Sequence, residues 1–226
     1  MCCGREVFDG LGFCAECKQS AILNVGKTCK RCGTGVEGEE DYCGNCAFDK
    51  IYFDKGYSAF VYDGTVRTSI LRFKFGNCGN FSRIFAKFLA AVATRQNIEF
   101  DLVAFAPMSK NSLRKRGYNQ AQLLAQHFCD ILDCNEKLCD AIRKSKETKP
   151  QESLGKAERK TNLVGAYSCV ADVKGKRVLI IDDIKTTGAT LNECAKVLKR
   201  AGATTVIGLT VASPREKFIY EVEDEG

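Results

Sequence analysis

The stretch Val178–Thr190 reads VLIIDDIKTTGAT, and its reading decides the fold. Four apolar residues, Val178, Leu179, Ile180 and Ile181, show no polar alternation, which is the pattern of a parallel strand buried on both faces. Two carboxylates, Asp182 and Asp183, stand at its carboxyl end. A small, hydroxyl-rich turn follows: Thr186, Thr187, Gly188, Ala189 and Thr190. A strand-to-helix turn of this kind offers backbone N–H groups to an anion, because the first amides of a helix lack carbonyl partners. Two acids beside such a cradle suit a sugar whose hydroxyls are held next to its phosphate.

Outward from this stretch the chain alternates strands and helices. Leu191, Cys194, Ala195 and Leu198 recur at helical spacing, with hydroxyl residues near Thr187–Thr190 as the expected cap and Gly202 as the stop. Thr204–Ala212 and Ala166–Val170 read as strands, as do Tyr57–Tyr62 and Asp101–Ala106. Asn80–Gln96 and Gln120–Leu132 read as amphipathic helices. The βαβ alternation predicts an α/β fold with a right-handed parallel sheet flanked by helices. After Ala106 come Pro107, Met108 and Ser109, then a basic turn containing Lys110, Arg114, Lys115 and Arg116. No acid lies between Asp101 and Asp130. This is a second candidate anion site at the carboxyl edge of the sheet, where open α/β folds bind ligands. Residues 141–162 are rich in Lys and Arg and lack apolar periodicity. They read as a long mobile loop, and a cationic lid suits closure over a polyanion. The acidic tail Glu221–Gly226 is expected to fray.

The first fifty residues have another character. Eight of the fourteen cysteines lie here, with three Cys-x-x-Cys pairs: Cys14/Cys17, Cys29/Cys32 and Cys43/Cys46. Two such knuckles complete a tetrahedral zinc site, so Cys29, Cys32, Cys43 and Cys46 form one predicted structural centre. A shift of 29 residues superposes Cys3 on Cys32, Gly4 on Gly33, Cys14 on Cys43 and Cys17 on Cys46. That repeat predicts a second zinc held by Cys2, Cys3, Cys14 and Cys17. Its first knuckle lacks a partner for Cys29, so either Cys2 serves or the natural start lies upstream of Met1. The segment 1–50 is therefore expected to be a double zinc ribbon and 51–226 the α/β domain. Closed four-cysteine sites leave no open coordination position, so chemistry is assigned elsewhere.

Composition narrows the class. The 226 residues carry a net charge of +6, and the excess of cations lies after the ribbons, which fits an anionic ligand. No apolar run is long enough to cross a membrane, and MCCGREVFDG is not a signal peptide, so the expected location is cytoplasmic with no membrane insertion. The cysteine pairs then point to metal rather than disulfides. HExxH, GxGxxG, a nucleophile elbow and a Walker lysine are all absent. His127, the only histidine, reads as a surface or capping residue.

Taken together, VLIIDDIKTTGAT resembles the phosphoribosyl diphosphate signature of type I phosphoribosyltransferases. RKRGYNQ at 114–120, the IRKS and ERKTNLVGAY segments and the N-terminal ribbons resemble the ComF family of competence-associated phosphoribosyltransferase-like proteins. The resemblance implies a Mg-dependent transferase of phosphoribosyl from phosphoribosyl diphosphate to an unidentified acceptor. Asp182 and Asp183 would hold the ribose hydroxyls, directly or through Mg, and Thr186–Thr190 would cradle the 5-phosphate. Pro107, Met108 and Ser109 would face the diphosphate. Arg114, Arg116 and a lid residue such as Lys149 or Arg159 would stabilise its departure. One departure is visible: the family commonly has a second proline in the diphosphate turn, where this chain has Ser109. The alternative is a non-catalytic single-stranded-DNA or protein-binding factor for DNA uptake, with a vestigial or regulatory phosphoribosyl site. Aromatics rarely interleave with the basic runs, which disfavours base stacking.

Overall fold

The structure is a computed structural model and describes residues 12–36, 38–146, 148, 158 and 162–215. Among these residues the centre is a four-stranded, wholly parallel sheet. Its strands are β1 (Lys55–Val61), β2 (Leu102–Phe105), β5 (Arg177–Ile184) and β6 (Thr205–Ser213), in the order β1-β6-β5-β2. The predicted signature strand is thus internal, paired with β2 from Leu102↔Val178 to Phe105↔Ile181 and with β6 from Arg177↔Thr205 to Ile184↔Ala212. Between β2 and β5, a two-stranded antiparallel ribbon forms from β3 (Ile142–Lys144) and β4 (Tyr167–Cys169). The expected loop over 141–162 therefore begins as a strand. Most of the remainder of that segment lies outside the described residues, as does the acidic tail.

The helices are α1 (Ala15–Ser20), α2 (Gly44–Phe48), α3 (Gly64–Phe75), α4 (Phe81–Arg95), α5 (Lys110–Arg116), α6 (Gln120–Leu132) and α7 (Ala189–Arg200). Helices α1 and α2 follow the Cys14 and Cys43 positions, where the sequence reading assigned only cysteine knuckles, and beyond residue 50 two more helices differ from the sequence expectation. Helix α3 occupies a stretch without an assigned element; its Val66, Ile70 and Phe73 stripe is fully buried. Helix α5 replaces the expected basic turn. Ser109 caps its start by accepting the Ser112 N–H at 3.2 Å, and Gly117 ends it at φ +80°. The charge of that segment drew attention from its Ser-to-Gly capping pattern.

The pleat of β5 divides the core. Leu179 and Ile181 join Phe60, Phe73, Phe85, Leu89, Leu124 and Phe128 on the face covered by α3, α4 and α6. Val178 and Ile180 join Leu191, Ala195, Leu198, Ile142 and Leu163 on the other, with α7 and β3–β4. Each internal strand is buried on both sides, which explains why its sequence lacks alternation. Each sheet edge is met by an isolated bridge: Leu23 lies antiparallel to Phe60 of β1, with Asn24 N–H donating to Ala59 O at 2.9 Å, and Leu138 pairs with Val103 of β2, with Cys139 N–H donating to Val103 O at 2.8 Å. These bridges shorten the exposed backbone at each edge. The ribbon cysteines belong to the second core cluster, so the ribbon is packed against the sheet. Among the described residues no helix is long and apolar enough to cross a membrane.

Candidate functional site

The carboxyl ends of β5 and β2 and the start of α7 converge. Ala106 N–H donates to Ile181 O at 2.9 Å, which places the Pro107–Ser109 turn beside Asp182. Ser109 is buried and spends its hydroxyl on the α5 cap. Pro107 and Met108 are partly exposed next to it. Strand pleating turns Asp182 and Asp183 to opposite faces. Asp183 is buried and pairs with Lys74 of α3 at 3.3 Å. Asp182 accepts the Asp183 N–H at 2.8 Å and, on the other side, raises the pKa of buried Tyr167 and Cys194 beyond what burial alone does. Burial, with the charge of Asp183 adding to it, pushes Asp182 itself up to about 7, against the pull of Lys74 and the Asp183 N–H. The sheet edge thus presents one carboxylate from each face.

Next to these acids, Gly188 takes φ +79° and becomes the N-cap of α7. The expected hydroxyl cap is displaced by one position. Thr187 Oγ1 accepts the Ala189 N–H at 3.3 Å, while the left-handed backbone of the cap residue itself favours glycine. The Thr190 hydroxyl works to lower the Tyr167 pKa, against the larger effect of burial. The amides that follow the cap have no carbonyl four residues back, so the turn retains donors for an anion. Thr186 is exposed and Thr187, Gly188, Ala189 and Thr190 are partly so, which leaves the turn open to a ligand.

Lys74 is a site residue that sequence reading missed, since nothing local distinguishes it from other lysines. The 114–120 motif explains its placement. Tyr118 donates its hydroxyl to Phe73 O at 2.6 Å, and Gln120 Nε2 donates to the same carbonyl at 3.3 Å. These bonds satisfy the end of α3, where carbonyls lack intrahelical partners, and so set Lys74 against Asp183. Asn119 caps α6 through Ala121 N–H at 3.0 Å and donates to Ala106 O at 3.0 Å, so one side chain ties the helix to the end of β2. Asn119→Ala is expected to lower stability by about 1–3 kcal/mol, from a lost cap plus a lost buried bond, as measured by urea denaturation. Arg116 stacks over Phe75 with 4.8 Å to the ring centre, and Arg114 is exposed on α5. Lys149 and Arg159 lie outside the described residues. His127 meets Asp130 at 3.3 Å on the outer side of α6.

The second centre is the four-cysteine cluster. Cys29, Cys32, Cys43 and Cys46 are buried and their sulfurs all lie within 4.8 Å of one another, with Cys32 and Cys43 3.5 Å apart. A tetrahedral zinc at about 2.3 Å from each sulfur requires sulfurs about 3.8 Å apart, so the cluster fits a structural zinc. The first knuckle is closed by Gly33 N–H donating to Cys29 O at 3.0 Å, and the second by Cys46 N–H donating to Cys43 O at 2.9 Å. The Cys32 contact raises the Cys29 thiol, but those of Cys43 and Cys46 outweigh it and bring Cys29 down to about 6; the Cys29, Cys43 and Cys46 contacts, with the Lys185 charge, drive Cys32 well below the usual thiol range, and the Cys29 and Cys32 contacts push Cys43 and Cys46 well above it. Of the other predicted set, Cys14 precedes α1 and Cys17 sits in the first core cluster, whereas Cys2 and Cys3 lie outside the described residues.

Comparisons with known proteins agree with this architecture. The phosphoribosyl transferase domain family model matches residues 112–221. The chain is 31% identical over 199 residues to Competence protein F of Haemophilus influenzae (strain ATCC 51907 / DSM 11121 / KW20 / Rd), covering 84% of this chain and 86% of that one. It is 27% identical over 201 residues to DNA utilization protein YhgH of Escherichia coli (strain K12), covering 86% and 87%. It is 30% identical over 145 residues to Competence protein ComFC of Streptococcus pneumoniae (strain ATCC BAA-255 / R6), covering 64% and 61%. With the parallel sheet, the acid-bearing strand end and the cysteine ribbon in place, this likeness over most of both chains establishes that the protein belongs to the ComF family of phosphoribosyltransferase-like proteins.

Proposed function

We propose that the protein binds phosphoribosyl diphosphate together with Mg at the β5–α7 edge and transfers the phosphoribosyl group to an acceptor not identified by the site. The observation that carries this reading is the joining of Asp182 and Asp183 to a glycine-capped helix start. A sugar bearing a phosphate on one side has its hydroxyls at the acids and its phosphate at the turn 186–190. Asp182 is the partly exposed carboxylate and takes the hydroxyl contacts; Asp183 acts through Lys74, whose ammonium adds positive charge at the strand end. Arg116, anchored on Phe75, and the Pro107–Ser109 turn, which Ala106 N–H holds beside the end of β5, are assigned to the departing diphosphate. Mg, when bound, neutralises the leaving diphosphate. Arg114, with Lys149 and Arg159, is assigned to the same charge by family resemblance.

Calorimetry with phosphoribosyl diphosphate and Mg tests the reading directly, and no heat of binding at millimolar ligand overturns it. The pH dependence carries a sign. A carboxylate must be ionised to accept two hydroxyls, and Asp182 has its pKa raised to about 7. Affinity is therefore expected to rise about tenfold per pH unit below 7 and to level off above it. Inorganic diphosphate, which has no ribose hydroxyls, serves as the reference for the ligand's own titration and should lack that slope.

The names of these relatives refer to competence and to DNA utilization. Direct binding of single-stranded DNA is the second reading. It predicts affinity that falls steeply with salt and survives the double change Asp182→Ala with Asp183→Ala.

A further inference from the structure

The loop between the two centres contains one residue that the phosphate cradle does not use. Lys185 follows the acids and precedes the cradle, yet it points away from solvent: it is 4% exposed, and among the described residues it is the only buried lysine or arginine. Its ammonium donates to Thr34 Oγ1 and, at 3.4 Å, to Cys32 Sγ, which are 151 and 153 residues away in sequence. Its aliphatic stem runs beneath Gly188, where an added Cβ would touch Lys185 at 3.8 Å and the Phe53 ring at 4.0 Å. A zinc with four thiolates carries a net charge of −2, so a buried ammonium against one of its sulfurs is the compensating charge that burial demands.

Other contacts run between the same partners. Asn192, in the first turn of α7, accepts the Tyr52 N–H at 2.6 Å and donates to Lys50 O at 3.0 Å, clamping the chain that leaves the second knuckle. On the opposite side of the ribbon, Gly56 N–H donates to Arg31 O at 2.7 Å, and a Cβ on Gly33 would collide with the Gly56 carbonyl. The ribbon therefore forms the floor under residues 185–192, held there by hydrogen bonds that need both knuckles in place.

We infer that Lys185 is a positioning residue that ties the metal-bearing ribbon to the phosphate cradle, so that metal in the four-cysteine site sets the order of residues 186–190. The inference rests on the phosphoribosyl reading only for what the cradle binds. Cysteine ligands are oriented and tuned by the groups that donate to their sulfurs, and here the donor is part of the loop it steadies.

The test uses the full-length, zinc-loaded protein and two variants, Lys185→Met and Thr34→Val. The first keeps the stem and removes the charge; the second removes the acceptor hydroxyl, which also meets Cys32 Sγ at 3.4 Å, and leaves the loop sequence intact, so in Thr34→Val the loop exchange and not the zinc release carries the test. Hydrogen exchange followed by mass spectrometry should show amides 186–190 exchanging about tenfold faster in both variants, with α6 unchanged. Zinc release to 4-(2-pyridylazo)resorcinol should accelerate by a similar factor. In the wild type, phosphoribosyl diphosphate should strengthen the equilibrium affinity for zinc by the same factor by which zinc strengthens its binding, since coupling is reciprocal. Wild-type loop exchange and zinc release in both variants overturn the inference. If Lys185→Met fails to fold, the loop response in Thr34→Val decides it. A wild type that binds no phosphoribosyl diphosphate, yet shows the exchange difference, sinks the functional reading and supports the tie.

Discussion

Cys43→Ala is expected to cost the protein its ribbon. The Cys43 sulfur lies in the buried tetrad and 3.5 Å from Cys32, so its removal leaves three ligands for a tetrahedral ion. Structural zinc sites contribute about 10–16 kcal/mol of apparent binding energy, which in such small segments is folding energy. Residues 28–46 have few apolar side chains besides the cysteines and Val36, so no core of their own replaces the lost site. The damage spreads, because the same cysteines share a core cluster with Val178, Ile180 and Val206 of the sheet. A loss of about 5 kcal/mol in a chain of this size corresponds to a melting temperature lower by about 10–20 °C. Differential scanning calorimetry with metal analysis checks this; a variant with wild-type melting and no zinc would show that the metal is dispensable. Native mass spectrometry of the wild type also counts the ions, and two zincs per chain would assign the second to the set containing Cys14 and Cys17.

Asp182→Asn is expected to remove binding of phosphoribosyl diphosphate almost completely. The amide is nearly isosteric and keeps an oxygen for the Asp183 N–H, so the strand end should fold as before. What is lost is the negative charge that accepts sugar hydroxyls or holds a cation. Hydrogen bonds to a charged group contribute about 1.5–3 kcal/mol each, so two of them amount to roughly a hundredfold to ten-thousandfold in affinity. The variant should also be the more stable protein in its empty state above neutral pH. A carboxyl whose folded pKa is raised above its unfolded value of about 3.9 is destabilising when ionised, and that cost grows as pH rises from about 4 to 7. Weaker binding with equal or higher stability is the signature of a ligand-contacting acid. Wild-type affinity in Asp182→Asn would remove Asp182 from the site. Asp183→Asn differs in kind, because it leaves Lys74 facing a neutral amide at 3.3 Å and should cost stability as well as affinity.

Much of the architecture could be read along the chain. The run Val178–Ile181 has no alternation because the strand is covered on both faces, and that alone implied a parallel sheet with helices on each side. Helices α4 and α6 follow their apolar spacing closely. The cysteine knuckles are local objects, so a gap of two residues in sequence is already a metal-binding geometry in space. Helices α3 and α5 were harder to see, the first for lack of punctuation and the second because its charge obscured its caps.

Sequence alone therefore determined the fold class, the acids beside an anion turn and the four-cysteine centre, since each leaves a short local pattern: an unbroken apolar run, two acids before a small hydroxyl-rich turn, and paired Cys-x-x-Cys knuckles. Only the tertiary structure decided which distant groups meet them. Lys74 reaches Asp183 because Tyr118 and Gln120 hold the end of α3. Lys185 reaches Cys32 and Thr34 because the ribbon packs under the β5–α7 turn. The pleat sends Asp182 and Asp183 to different faces, so adjacent acids that read as a pair have different neighbours and a different exposure. Contacts across more than a hundred residues depend on how the layers pack, and no local pattern encodes them.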